Sequence, residues 1–148
     1  TITDIEIPQD KSDEELYKDA KNALEKAQFK TAYAYFSYLT QRNHAESFNE
    51  LGDMYFYGRG MAINQAKALE LYKKAAALDS VYGFFNVGFL YWNGPEEIQD
   101  PEQALQYLKK AAQMGYTYAL SFIGDVYRTG RTYRLCRSET ILSKRSRR

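Results

Sequence analysis

The sequence predicts an all-α protein, an α/α superhelical solenoid of stacked helix-turn-helix repeats. Three observations carry that expectation: the chain copies itself every 36 residues, signals that end and begin helices recur in register with the copies, and the apolar residues between them fall at helical spacing. A shift of 36 aligns Leu51-Gly52-Asp53-Met54-Tyr55-Phe56-Tyr57-Gly58 with Val87-Gly88-Phe89-Leu90-Tyr91-Trp92-Asn93-Gly94, and then with Ile123-Gly124-Asp125-Val126-Tyr127-Arg128-Thr129-Gly130. The same shift lays Ala68-Leu69 on Ala104-Leu105 and Lys73-Lys74-Ala75-Ala76 on Lys109-Lys110-Ala111-Ala112. A period of this size means stacked supersecondary units, because one helix pair cannot bury its apolar face alone.

The elements follow in chain order. Residues 1–13 are a polar N-terminal segment, and the repeat solenoid is expected over 14–130. Residues 14–44 form a divergent first unit with two apolar stripes: Leu16, Ala20, Ala23, Leu24 and Ala27, then Phe29, Ala32, Phe36 and Leu39. Ala20 and Ala32 are 12 apart where Gly52 and Ala68 are 16 apart, so this unit has a turn about four residues shorter. Residues 45–80 and 81–116 are complete repeats. Their first helices run over 45–57 and 81–93 and stop at Gly58 and Gly94, which can take the left-handed conformation that closes a helix. Their second helices start at Asn64 and at Asp100-Pro101, where a short polar side chain caps free N–H groups and proline has none to lose. Gln103, three residues after Asp100, completes the pattern of a capping box. Gly52 and Gly88 sit mid-helix, where glycine costs about 1 kcal/mol against alanine; close approach to Ala68 and Ala104 of the paired helix is the expected reason. Residues 117–130 repeat only the first helix. In the basic segment 131–148, Glu139-Thr140-Ile141-Leu142 falls where a second helix would begin, and LSKRSRR then replaces the Lys-Ala-Ala pattern, so the segment is either a short capping helix or the point where the chain departs from a longer array.

The run AESFNELGDMYFYGRGMAINQAKALELYKKAA, with its leading Ala, Leu-Gly, Tyr, Gly-x-Gly, Ala-Leu and Lys-Ala-Ala, resembles the Sel1-like repeat family. Residues 14–44 look like a tetratricopeptide-like relative of the same unit. Repeat two departs where Pro95-Glu96 replaces Arg59-Gly60 without a change of length, which touches only the local loop. The resemblance implies a scaffold for protein assembly, of the kind used as adaptors in endoplasmic-reticulum degradation and in bacterial signalling or host interaction. Cysteine-rich relatives have been discussed as penicillin-binding enzymes; this chain does not show their repeated cysteine pairs, so that activity is not carried over.

Composition sets the outer limits. The 148 residues fit one domain, and 45% hydrophobic with 26% charged residues exclude wholesale disorder. Aromatic content is high, with 14 Tyr, 8 Phe and 1 Trp. Seven Lys and Arg stand against Glu139 alone over 131–148, so this segment carries +6 of a net +1 and leaves residues 1–130 at −5. An acidic body argues against nucleic-acid binding except through the basic tail, whose other readings are a nuclear-import signal, an acidic-membrane contact, a solubilising end or an end that docks on the acidic body. No run approaches the roughly 20 apolar residues of a membrane span. The first residues have neither the basic nor the apolar region of a secretory signal, and the lack of an initiator Met fits a processed protein or a piece of a longer one.

Candidate functional residues follow from the expectation that solenoids bind on the concave surface lined by the first helix of each pair. With Tyr55, Tyr91 and Tyr127 assigned to the core, the opposite helix side presents Asn49, Asp53 and Phe56, then Tyr82, Phe85, Phe89 and Trp92, then Tyr118, Ser121 and Asp125. VYGFFNVGFLYW is apolar all round, which calls for a cover on its outer face. The inner aromatics are read either as a contact for a peptide or protein partner or as a surface already covered by neighbouring helices, by self-association or by the C-terminal segment. The leading expectation is an interaction adaptor; the alternative is a structural or oligomerising subunit of a larger complex. No catalytic site, cofactor or metal is expected. His44 is the single histidine, at a turn between units, which excludes a multi-histidine metal site. Cys136 lies between Arg134 and Arg137 and is read as an ordinary thiol. Glu46, Glu50 and Asp53 fit a solvated helix face, and Gly58-Arg59-Gly60 follows a helix rather than a strand, so it is no phosphate loop.

Overall fold

A computed structural model describes residues 5–129. Cys136, the expected capping helix and the basic tail lie outside the described residues. Seven helices and no strand form among the described residues: α1 (Asp13–Glu25), α2 (Phe29–Gln41), α3 (Ala45–Tyr57), α4 (Gln65–Ala77), α5 (Val81–Asn93), α6 (Pro101–Gln113) and α7 (117–129). The all-α solenoid is therefore the architecture observed.

The starts of α4 and α6 are made by the expected side chains. Asn64 Oδ1 accepts the amide of Lys67 at 3.0 Å and Asp100 Oδ1 that of Gln103 at 3.2 Å. Ser12 does the same for Glu15, ahead of a first turn rich in Asp13, Glu14 and Glu15 that suits the positive end of the helix dipole. The loops inside repeats one and two close alike despite their different residues: Asn64 N–H reaches Tyr55 O at 2.9 Å, and Asp100 N–H reaches Tyr91 O at 2.8 Å.

Helix ends divide into two kinds. Gly58 is left-handed at φ 70°, as expected, whereas Gly94 is extended at φ −73°, ψ −178°. Pro95 is the cause, because a proline drives the residue before it out of helical conformations. A side chain at Gly94 would stand 2.4 Å from Leu90 O, so close backbone approach, not handedness, calls for glycine there. Between units the chain turns at Asn43 (φ 61°), Asp79 (φ 64°) and Gly115 (φ 98°), three residues spaced by the repeat, and Ala27 (φ 58°) makes the same turn inside the first unit. In each, the next residue's amide returns five residues: Gln28 to Ala23 O, His44 to Leu39 O, Ser80 to Ala75 O and Tyr116 to Ala111 O. This double-bonded closure takes up the last free carbonyls of the helix. It also corrects the placement of Ala27, which is an exposed turn residue and not part of an apolar stripe.

Packing is by hairpin. α1 lies on α2, α3 on α4 and α5 on α6, and consecutive hairpins join through α2 on α3 and α4 on α5. One buried cluster joins Ala20, Ala23, Ala32, Phe36, Leu51, Met54 and Leu71; the next joins Ala68, Tyr72, Val87, Leu90, Tyr91 and Ala104, with Tyr55 touching both. The spine is continuous for that reason. Tyr91 is buried as expected, whereas Tyr127 is 51% exposed.

The mid-helix glycines are called for by close approach of the paired helix, as expected, but the nearest group is Tyr72 rather than Ala68 at Gly52, and Leu108 with the expected Ala104 at Gly88. A Cβ on Gly52 would meet the Tyr72 ring at 2.6 Å, and one on Gly88 would meet Leu108 Cγ at 2.7 Å and the Ala104 carbonyl at 3.1 Å. Tyr72 and Leu108 are one period apart, and they decide what lies beneath the inner row.

Candidate functional site

α3 touches α5 directly while no comparable contact joins α4 to α6, so the first helices of each pair form the row on which the stack closes. α7 extends that row, with Phe122 against both Phe85 and Phe89. Identical backbone positions on α3 and α5 therefore carry the side chains that line it.

On α5 and α7 these side chains are aromatic and form one cluster. Phe85 lies at its centre, with ring centroids at 5.1 Å to Tyr116, 5.4 Å to Tyr118, 5.7 Å to Phe122 and 6.4 Å to Phe89. Most of these pairs are edge-to-face, the geometry favoured by the ring quadrupoles. Tyr82 stacks on Tyr116 at 5.5 Å and remains 52% exposed; Tyr118 is 59% exposed. Phe56 of α3 reaches Phe89 at 6.2 Å and carries the cluster across to repeat one. The cover expected for the outer side of α5 is Tyr107 of α6, which packs on Phe84 and Tyr91.

On α3 the equivalent side chains are polar and engaged. Asn49 is a correction: it is 5% exposed and faces the start of α5, donating to Ser80 Oγ at 2.9 Å and to Glu46 at 3.2 Å while accepting from Asn86 at 3.4 Å. The two helices approach too closely there for the side chain to reach the surface. Ser80 donates to Glu46 at 2.6 Å, so a polar network welds the two repeats. Glu50 accepts from Tyr17 of α1 at 3.1 Å, and Asp53 accepts from the Tyr72 hydroxyl. Glu46, Glu50 and Asp53 are thus half-buried and hydrogen-bonded rather than a solvated face. Burial raises the Asp53 carboxyl above the ordinary carboxylate range, against the Tyr72 bond and the Arg59 charge, which pull it down. Burial and then the Asp53 charge raise Glu50. Burial and its carboxylate partner push the phenol of Tyr72 up in turn.

Of the expected inner residues, Asp53, Phe56, Phe85 and Phe89 line one cleft of about 140 Å³, together with Tyr57, Tyr72 and Asn86. Tyr82 and Tyr118 flank it as exposed aromatics, and Ser121 and Asp125 are exposed on α7, Asp125 paired with Arg128. Trp92 stands apart, packed beside the second buried cluster. Sequence reasoning missed Tyr116 and Phe122. The 36-residue register held the signal, since these positions read His44, Ser80, Tyr116 and Glu50, Asn86, Phe122, each turning aromatic in the last repeat. His44 is the N-cap residue of α3, and its ring packs on Tyr17 at 4.9 Å, with Nδ1 2.8 Å from Ser47 Oγ and Nε2 3.1 Å from Glu14. Among the described residues no group of His, Cys, Asp and Glu is arranged to hold a metal ion, and no helix is long and apolar enough to cross a membrane.

The Sel1 repeat family model matches residues 45–80 and 85–116. No curated protein matches the chain. Among solved structures, the chain is similar to a Sel1 repeat protein from Oxalobacter formigenes, at 19% identity and a TM-score of 0.66 over 77% of this chain and 89% of that one. It is also similar to a protective antigen of uropathogenic Escherichia coli with an SLR fold, at 23% identity and a TM-score of 0.72 over 80% of this chain and 26% of that one. Cysteine rich protein B of Helicobacter pylori matches at 20% identity and a TM-score of 0.58 over 78% of this chain and 99% of that one.

Proposed function

Residues 45–116 of this chain are Sel1 repeats, which typically build protein–protein interaction scaffolds, and from that premise we propose that the chain is an adaptor holding a peptide or protein partner on its inner row of helices. One observation carries the reading: the aromatic cluster around Phe85 runs along that row and ends in Tyr82 and Tyr118, each more than half exposed. Tyrosine buries a large area at low entropy cost and keeps a hydroxyl for a polar partner, so exposed tyrosines over a packed aromatic floor make an economical contact surface. The polar groups of the row support binding over catalysis. Asn49, Glu46 and Ser80 bind one another, and His44 is held between Ser47 and Glu14.

Selection from a displayed random-peptide library tests the proposal. Peptides enriched on the wild-type chain are expected to bind Tyr82→Ser/Tyr118→Ser at least about tenfold more weakly, the loss of roughly 1.4 kcal/mol, while its circular dichroism is unchanged. Equal binding by the double variant removes the inner row as the contact. A dilution-stable oligomer by light scattering that selects no peptide favours a structural subunit with this face closed.

A further inference from the structure

We infer that the cleft between α3 and α5 receives the guanidinium of an arginine carried by the bound peptide; this rests on the peptide-binding reading above and names the chemistry of one anchor. At about 140 Å³ the cleft falls short of the roughly 300–1,000 Å³ of sites for drug-sized ligands, so it suits a single long side chain. Its lining holds one carboxylate, Asp53, among the rings of Phe56, Tyr57, Tyr72, Phe85 and Phe89. Tyr72 donates to Oδ1 of Asp53, and among the described residues Oδ2 has no hydrogen-bond partner.

A carboxylate set among aromatic faces selects a cation twice over. The charge pairs with it, and the negative faces of the rings attract it. A planar guanidinium satisfies both at once, because it stacks flat on a ring while its edge N–H groups reach an oxygen. The cleft already shows this chemistry at its edge: the Arg59 guanidinium lies 5.1 Å over the ring of Tyr57. Arg59 is exposed and lies one residue past the end of the left-handed cap at Gly58, so it is a resident competitor that an incoming arginine displaces. Charge complementarity extends beyond the cleft. Glu46 and Glu50 lie on the same side of α3, and residues 1–130 carry a net charge of −5. On the far side of Phe85, the exposed Tyr82 and Tyr118 would take an apolar neighbour of that arginine.

Peptides selected from the random library on the wild-type chain should be enriched in arginine next to an apolar residue. A fluorescein-labelled selected peptide and its citrulline analogue, isosteric but uncharged, then provide the decisive pair, read by fluorescence anisotropy. Citrulline is expected to weaken binding to the wild type at least about tenfold and to cost little in Asp53→Asn, which can still accept from Tyr72. Arg59→Ala, a surface change that spares the fold, is expected to tighten the arginine peptide about threefold. A selected set without arginine, equal binding of the two peptides by the wild type, an equal citrulline loss in Asp53→Asn, or no gain in Arg59→Ala overturns the inference. In each of those cases peptides still bind, and the adaptor reading stands; failure to select any peptide removes both.

Discussion

Glu46, Asn49, Glu50 and Asp53 on α3 occupy the same backbone positions as Tyr82, Phe85, Asn86 and Phe89 on α5, one half of the inner row acidic and the other aromatic. What lies beneath is nearly the same: Leu51 and Val87, Met54 and Leu90, Gly52 and Gly88, Ala68 and Ala104 are all buried. The spine thus fixes the helix positions, and the row above it is free to vary. One difference beneath the row is a transposed pair, Leu71-Tyr72 in repeat one against Tyr107-Leu108 in repeat two. In repeat one the tyrosine lies against Gly52 and sends its hydroxyl to Asp53; in repeat two the tyrosine turns outward to Phe84 and Tyr91. Chemistry on the inner face is therefore coupled to the choice of residue on the second helix.

The sharpest mechanical contrast lies at the start of the two helices. Gly83 of α5 is so close to α4 that an added Cβ would stand 2.6 Å from Ala76 N and 2.9 Å from Ala75 C, whereas the same position in α3 and α7 carries Ser47 and Ala119. Backbone atoms cannot yield as a side chain would. Gly83→Ala is expected to cost about 2–3 kcal/mol in urea denaturation; a loss under about 0.5 kcal/mol would mean that α5 is seated no more tightly than its neighbours.

A graft tests whether the transposition controls the polar half. Tyr72→Leu removes the donor to Asp53 and Asp53→Phe removes the acceptor, each leaving its partner in a site built for the pair. Each single change is expected to destabilise by about 1–3 kcal/mol, and the double change, which places the Phe and Leu of repeat two at these two positions, by about 1 kcal/mol less than their sum. Strict additivity in thermal unfolding would show that the two positions are independent.

These particulars also mark what the sequence made legible. Local signals read cleanly: helices over 45–57 and 81–93, caps at Asn64 and Asp100, and the left-handed Gly58 depend on a few adjacent residues and were found from them. The tertiary partner of Gly52 was not legible, because Ala68 and Tyr72 lie one turn apart on the same helix and both point inward. Asn49 read as exposed because its burial is produced by Ser80 at the start of α5 and Asn86 of the next repeat. Asp53, Phe56, Phe85 and Phe89 of the expected inner residues share the cleft; Trp92 does not, since at its place in the row it packs beside the second buried cluster. Gly94 failed for a local reason that was available, the proline after it.

The acidic half should also respond to pH in a way the aromatic half cannot. Asp53 and Glu50 are both raised by burial, so the folded chain holds their protons more tightly than the unfolded chain does. The sign follows: stability is greatest below the ordinary carboxylate range and falls as pH rises through the raised values, then levels off. Asp53→Asn, which keeps an acceptor for Tyr72 without the charge, is expected to gain stability at pH 7, by less than about 1 kcal/mol, with the gain shrinking as the buffer is made acid. A gain that is the same at both pH values would assign it to packing.

The smallest expected effect lies outside both halves and serves as their control. Ala27, Asn43, Asp79 and Gly115 all hold positive φ at the same kind of helix closure, but only Ala27 does so with a plain methyl side chain and no polar group to offset the crowding. A left-handed alanine costs about 1–2 kcal/mol, and glycine gives back about 0.5–1 kcal/mol through its greater freedom in the unfolded chain. Ala27→Gly should therefore raise stability by about 0.5 kcal/mol, measured as a higher urea midpoint with an unchanged slope. Because no residue of this turn lines the cleft, the change should leave peptide affinity untouched. If affinity moved with it, the first unit would be coupled to the binding row, and the division of labour between spine and surface would not extend to the end of the stack.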